Sequence, residues 1–332
     1  MNIRNTRELK RFAGERVAGA RDGKRIVLIY TGLTIALSIL GLVLDHVLGL
    51  QIDQMGGLSN MGTRTILSTV QTMLPMAQSV ISMCLNVGFL SAMLRTARGQ
   101  YASPQGLRLG FDRFWVLLRS SVLQGLIYSG VMMAGVYLGI MIFMISPLSN
   151  EAIELLLPYM TDVSALNSQL VLEEAVYAQF AQLIWPAYLI CGVILVLLAL
   201  PIAYSYRMVN YVIIDKPAMG AMAALRESKR MMRGNRLQLL KLDVSLWWYY
   251  AAMTLATVVC YGDSLLLLMG VELPFSAEVG YFLFYALYLA VTALIYYLML
   301  DRVEVTYALA YDAVKPEEKQ DGGVVLGNIF QM

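Results

Sequence analysis

Six long apolar stretches, almost free of charge, constrain this chain more than any other feature of its 332 residues. They run over residues 26–44, 70–94, 115–145, 183–214, 244–269 and 279–300. A helix crossing a bilayer needs about 20 mostly apolar residues and satisfies all its backbone polar groups internally. Each stretch meets that length. The apolar share of the whole chain is 58% and the charged share 14%, where a soluble domain has about 45–50% and 25%. A water-soluble core cannot hide that much apolar surface. The sequence therefore predicts an all-α protein, a polytopic transmembrane bundle of about six helices.

The distribution of charge sets the orientation. The net charge of +2 is small, but the 25 Lys/Arg are not evenly spread. Eight precede the first stretch, from Arg4 to Arg25. Arg95, Arg98, Arg108 and Arg113 lie between the second and third. Lys216, Arg226, Lys229, Arg230, Arg233, Arg236 and Lys241 lie around the fourth-to-fifth connection, and Arg302, Lys315 and Lys319 follow the sixth. The alternate connections, 45–69, 146–182 and 270–278, hold only Arg64 and are otherwise acidic, with Asp45, Asp53, Glu151, Glu154, Asp162, Glu173, Glu174, Glu272 and Glu278. Positive charge stays on the cytoplasmic side of a membrane. Both termini are thus expected inside, in a multi-pass plasma-membrane protein. The first 25 residues are too long and polar for the basic start of a signal peptide, and no small-residue cleavage site follows them.

Two cytoplasmic segments carry helical patterns of their own. In residues 1–25, Asn5 followed by Glu8 resembles a capping box, and Leu9, Phe12, Ala13, Val17 and Ala20 recur at helical spacing against a basic face. In residues 215–236, Asp215 is read as an N-cap with Pro217 in the first turn. There Ala221, Leu225, Ser228 and Met232 line one side, Arg226, Lys229, Arg230 and Arg233 the other, and Gly234-Asn235 ends the helix. Both segments are expected as interfacial amphipathic helices at the cytoplasmic side, their basic residues touching anionic headgroups of the inner leaflet. The division that follows is a basic segment 1–25, a six-span domain 26–314 and a disordered cytoplasmic tail 315–332. The six-span domain includes an acidic exterior loop, 146–182, with short helices near 150–159 and 164–179.

The stretch from Leu225 to Trp247, and within it Ser228 to Asn235, resembles a recurrent segment of the bacterial integral membrane family catalogued as domain of unknown function 975. The basic segment Arg7 to Arg25 and the ending Glu304 to Asp312 are also similar to that family's. The chain departs from the pattern at Leu237, where an aromatic is expected, and in its long exterior loop. The resemblance implies a bacterial plasma membrane and carries no catalytic residues with it.

Ionisable and polar groups within the stretches are the candidate functional residues, because such groups are costly in lipid. Arg207, about two turns inside the fourth stretch, stands near Tyr204, Tyr206, Asn210 and Tyr211. Gln71, Gln78, Ser82 and Asn86 form a stripe along the second, and Gln124 adds to it from the third. The stripe either lines a cavity or ties helices together. Arg207, Asn210, Tyr204, Asn86 and Gln124 are therefore the candidate intramembrane ligand site. Arg119, one turn after Trp115, is read as snorkelling to the inner interface. Pro201 is expected to kink the fourth helix, Asp263 to cap the fifth, and Asp45-His46 to close the first as a potential proton-responsive pair. In the third, Ser121, Gly125, Ser129, Gly135 and Gly139 suit close packing.

The single histidine excludes a multi-histidine metal site, and Cys84, Cys191 and Cys260 lack ligand spacing. No hydrolase, P-loop or dinucleotide motif occurs. No catalytic residue, cofactor or metal is expected, nor is nucleic acid a partner. The leading reading is a non-enzymatic membrane scaffold or lipid- or protein-interacting factor, its partners membrane lipids and a membrane protein the chain does not identify. The alternatives are a small transporter or permease with a polar cavity between helices two, three and four, and an intramembrane lipid-modifying enzyme. The topology is open to direct measurement: reporter fusions after Val314 and near Asp162 should report opposite sides of the membrane. Reports from the same side would break the six-span scheme.

Overall fold

The computed structural model describes residues 5–20, 22–55, 61–161, 174–268 and 276–315, and these are all-helical, with no strand. Residues 162–173, within the segment expected as an exterior loop, and the tail beyond 315 lie outside the described residues. Five helices are long and apolar enough to cross a membrane: Gly23–Gln54, Met61–Ala97, Phe114–Ile145, Ile184–Asp215 and Glu278–Val314. The chain forms two compact units, one of residues 1–112 with 230–332, the other of 113–229.

The first unit holds α1 (Thr6–Gly19), α2 (Gly23–Gln54), α3 (Met61–Ala97), a 3₁₀ turn (Pro104–Arg108) and α4 (Leu109–Asp112). Its centre is the second half of α3, where Cys84, Leu85, Val87, Phe89 and every residue from Leu90 to Leu94 are buried. Burial on all sides needs neighbours that approach closely. Gly88 faces the carbonyl of Leu107 and Gly110 faces that of Cys84, so tightly that a Cβ on either would overlap the opposing backbone. The turn is thus seated on α3 backbone to backbone. Tyr30 of α2 stacks on Phe89, ring centroids 4.4 Å apart.

The polar stripe of α3 proves partly adhesive. Gln71 donates to the Asp45 carboxylate (3.0 Å) and Gln78 to the Leu37 carbonyl (3.3 Å), both on α2. Asp45 is therefore engaged with Gln71, and His46 meets Phe282 edge-on at 5.2 Å. Asp45-His46 does not close the first helix, which runs on to Gln54. At 1.5 Å per residue its 32 residues span about 48 Å, beyond a hydrocarbon core of about 30 Å.

The same unit contains α10 (Arg236–Ser245), α11 (Trp247–Cys260), α12 (Gly262–Leu268), α13 (Ala277–Ile295), a π-helical turn (Tyr296–Leu300) and α14 (Asp301–Val314). The stretch 244–269, expected as one spanning helix, is broken at Leu246 and Tyr261. Asp263 accordingly sits in the first turn of α12, three residues past the end of α11. Past the π turn, α14 is buried almost throughout, with Val305, Ala308, Ala310 and Tyr311 fully covered.

A π turn widens the hydrogen-bond ladder and frees carbonyls. Lys24 uses this opening: its Nζ donates to the Tyr297 carbonyl (2.5 Å) and pairs with the Asp301 carboxylate (2.8 Å), which is 1% exposed. Arg98 grips Asp312 at the far end of α14 through two bonds, 3.1 and 2.7 Å. Helix α1 lies against α14 and α3. Its N-cap is as expected, Asn5 accepting from the Glu8 amide (3.3 Å). The apolar stripe has another use, however: Leu9 and Ala13 are fully buried in protein rather than turned to lipid.

The second unit holds α5 (Phe114–Ile145), α6 (Pro147–Thr161), α7 (Glu174–Tyr206), α8 (Val209–Asp215) and most of α9 (Ala221–Met231). Helices α5 and α7 pack closely because Gly135 admits Leu195 and Gly139 admits Cys191. Gly125, expected in the same packing seam, has open space where a Cβ would stand, so the seam is confined to the C-terminal half of α5. Helix α7 continues through Pro201, whose carbonyl accepts from Ser205 Oγ (2.6 Å).

The buried carboxylate of Asp301 gives a test. Lys24→Met would leave it without its counter-charge, a loss of about 3–5 kcal/mol for a fully buried pair. Lys24 is half exposed, so water screens part of this, and a destabilisation of roughly 2 kcal/mol is expected. Thermal unfolding in detergent should show a lowered midpoint; an unchanged one would mean the pair does not anchor α14.

Candidate functional site

The C-terminal end of α7 is irregular. The helix stops at Tyr206, two residues turn, and α8 resumes at Val209. Arg207 is therefore at a break in the fourth stretch, not two turns inside a continuous helix. Turning the chain there aims a group of polar side chains at α5. Gln124 and Tyr128, one helical turn apart on α5, face Tyr204, Tyr206, Arg207 and Asn210 across a cavity of about 290 Å³, with Ala203 completing the wall. Four of the five residues expected at an intramembrane site, Arg207, Asn210, Tyr204 and Gln124, thus share one cavity within the second unit. Asn86 is not among them: it is exposed on α3, in the first unit. No helix-two residue lines this cavity.

Tyr128 and Tyr206 were legible in the sequence only weakly. Tyr128 follows Gln124 by four residues and so shares its face, but a tyrosine in an apolar helix carries no signal by itself. The wall chemistry is a guanidinium, two carboxamides and three phenols. Such a set binds carboxylate, phosphate or other polar groups through directed hydrogen bonds, and it brings no general base or nucleophile of ordinary reactivity. In the first unit two carboxylates are engaged locally, Asp301 with Lys24 and Asp243 with the Tyr307 hydroxyl. Among the described residues no group of three or more His, Cys, Asp or Glu is placed to hold a metal ion.

The second candidate surface is α9. It begins at Ala221, after Gly220, rather than at Asp215, which instead ends α8. The reason is the hold on the intervening loop: Arg113 donates to the Pro217 carbonyl, and Lys216 pairs with Glu227 at 3.5 Å. Ala221, Ala224, Leu225, Ser228 and Met232 are buried, while Arg226, Lys229, Arg230 and Arg233 are exposed. As in α1, the apolar stripe is spent on protein.

The run Ser228 to Asn235 now has a structural account. Ser228 Oγ is fully buried and donates to the Ser205 carbonyl (2.9 Å), tying α9 to the end of α7. Gly234 has φ +90°, a backbone conformation that favours glycine, and ends the helical run. Asn235 Nδ2 donates to the Met231 carbonyl (3.0 Å), and the chain turns into α10. Tyr307, in the ending Glu304 to Asp312, donates to Asp243 of α10 and shares a 2.5 Å hydrogen bond with Tyr250. The model of the family described as "Protein of unknown function (DUF975)" matches residues 1–304. The chain belongs to this family. No curated protein and no solved structure matches it. Leu237, where the DUF975 resemblance led to an expected aromatic, is 71% exposed on α10, so its identity is not fixed by internal packing.

Whether the Arg207 cavity is wet can be measured. In a chain whose Cys84, Cys191 and Cys260 are replaced by alanine, Tyr128→Cys should react with a water-soluble thiol reagent in reconstituted protein. Ala203→Trp, added to that variant, should slow the reaction by filling the cavity. Reaction no faster than at a lipid-facing position such as Val193→Cys would make the cavity dry packing.

Proposed function

We propose that this DUF975 protein is a non-enzymatic, multi-pass protein of the bacterial plasma membrane that holds anionic lipid against its cytoplasmic face. The observation that carries the reading is the exposed row Arg226, Lys229 and Arg230 on α9, a helix whose apolar side is already buried in protein, continued by Arg233 in the turn after it. A free amphipathic helix needs its apolar side to enter a membrane. This helix is instead fixed, and presents only charge. Juxtamembrane basic residues contribute on the order of 1 kcal/mol each near an anionic surface.

The proposed topology places both termini in the cytoplasm and counts six passages, the broken α11–α12 segment making the passage that length alone does not mark. Basic residues at α1, in the 95–113 connection and on α9 then all face the inner leaflet, where anionic headgroups balance them. A protein partner with an acidic surface would use the same face.

A second reading is passage of a small anionic or polar solute, and the cavity at Arg207 favours it. Its volume of about 290 Å³ is close to the lower end, about 300 Å³, of ordinary ligand sites. It is lined by α5, α7 and α8, without the second helix that the permease reading had included. No observation favours the lipid-modifying enzyme.

The lipid reading is tested on the full chain, since the helix depends on protein contacts. Replacing Arg226, Lys229, Arg230 and Arg233 together by glutamine should lower the phosphatidylglycerol that co-purifies from mixed phosphatidylglycerol and phosphatidylcholine membranes. One contact of the stated size is worth about fivefold, so the loss of four should give a fall of at least that size. A folded variant that recovers as much phosphatidylglycerol as the parent would refute the reading.

A further inference from the structure

A second cavity in the 113–229 unit differs in character from the polar one. It is larger, about 760 Å³, and its walls are mostly apolar. Trp115, Leu118, Val122 and Leu123 of α5 form one side, and the first turn of α9, with Met222 and Ala223, forms the other. A single charged side chain, Arg119, enters it. The cleft is not an accident of loose packing. The loop leading to α9 is held to the start of α5 by Arg113 on the Pro217 carbonyl, and α9 is held to α7 by Ser228.

Arg119 poses a chemical problem that the protein leaves open. Among the described residues none forms a hydrogen bond or ion pair with it. Arginine does not deprotonate, so its five N–H donors need acceptors and its charge needs a counter-charge. Arg119 is exposed on α5 one turn past Trp115, so the leucine and valine side chains around it supply no acceptor and its partners come from the headgroup level it snorkels to. Its cleft is apolar on the remaining sides and begins at Trp115, a residue suited to the level of the headgroups. The complement is a molecule with a phosphate at one end and hydrocarbon at the other.

We infer that the cleft between α5 and the start of α9 holds one anionic phospholipid, its phosphate on Arg119 and part of an acyl chain against Leu118, Val122 and Met222. The site deepens the lipid reading above, because it needs this end of α5 to face the inner leaflet. It is separate from the basic row on α9. That row meets the headgroup region as a whole, whereas the cleft selects a single molecule by charge and shape together. A guanidinium holds a phosphate through two parallel bonds where an ammonium makes a point contact. Lysine at this position therefore serves only partly.

The test is native mass spectrometry of the full chain, reconstituted with equal phosphatidylglycerol and phosphatidylcholine and then extracted in mild detergent. The parent should carry one retained phosphatidylglycerol. Arg119→Gln should lower that one-to-one species about tenfold, the worth of roughly one charge-assisted contact, with Arg119→Lys between the two. Met222→Trp fills the apolar side from an exposed position and should also displace the lipid, so the site is readable even if Arg119→Gln fails to fold. The four-glutamine variant of α9 should lose bulk lipid and keep the single adduct. Equal retention of phosphatidylcholine and phosphatidylglycerol, no retained lipid in the parent, or an adduct surviving in folded Met222→Trp would each overturn the assignment. Loss of the α9 effect with survival of the adduct would sink only the broader reading.

Discussion

Lys24 and Asp301 meet where a helix that should be regular is one residue too wide. The π turn at Tyr296–Leu300 presents a carbonyl that the ordinary ladder would have consumed, and the lysine satisfies it together with the carboxylate. The carboxylate is not stable alone in such surroundings: an isolated buried carboxylate costs several kcal/mol, about as much as the pairing returns. The arrangement gives position more than energy. It fixes where α2 begins and where α14 turns inward, and with Arg98 on Asp312 it holds α14 at both ends. Helix α1 and the second half of α3 then pack on a surface that these two ion pairs have set in place.

Polar groups in this chain divide by what they touch. Gln71 and Gln78 face a neighbouring helix and are consumed in holding it. Gln124, Asn210 and Tyr204 face a cavity. The sequence pattern is the same in both cases, an amide recurring on one face of an apolar helix. Spacing finds the face but not its neighbour.

The long apolar runs and the charge asymmetry were legible because both follow from solvent physics acting on single segments. So was the turn at Gly234-Asn235 that follows α9, where the chemistry is local. The break at Arg207-Met208 was not legible, since Pro201 upstream is the louder signal and α7 runs straight through it. Nor was the fate of the amphipathic stripes. A stripe such as Leu9–Ala13 reads alike whether lipid or α14 covers it, and only the tertiary fold decides. The stretch 244–269 has the composition of a single span, yet it breaks at Leu246 and Tyr261, which no proline or glycine pair announces in advance at the first of these. The cavity residues were found through Arg207 because an arginine in lipid always needs explanation; Tyr128 needs none and was passed over.

The unit built around α3 is made of the two ends of the chain, residues 1–112 and 230–332, with the other unit inserted between them. Order of synthesis therefore acts on it. When α2 and α3 leave the ribosome, the partner of Lys24 lies almost 280 residues away and has not yet been made. The α1 stripe, the covered side of α3 and the lysine stay unmatched until α14 arrives. A chain cut short anywhere before Asp301 would keep those surfaces open. Closure of this unit therefore waits on a segment made long after its first helices.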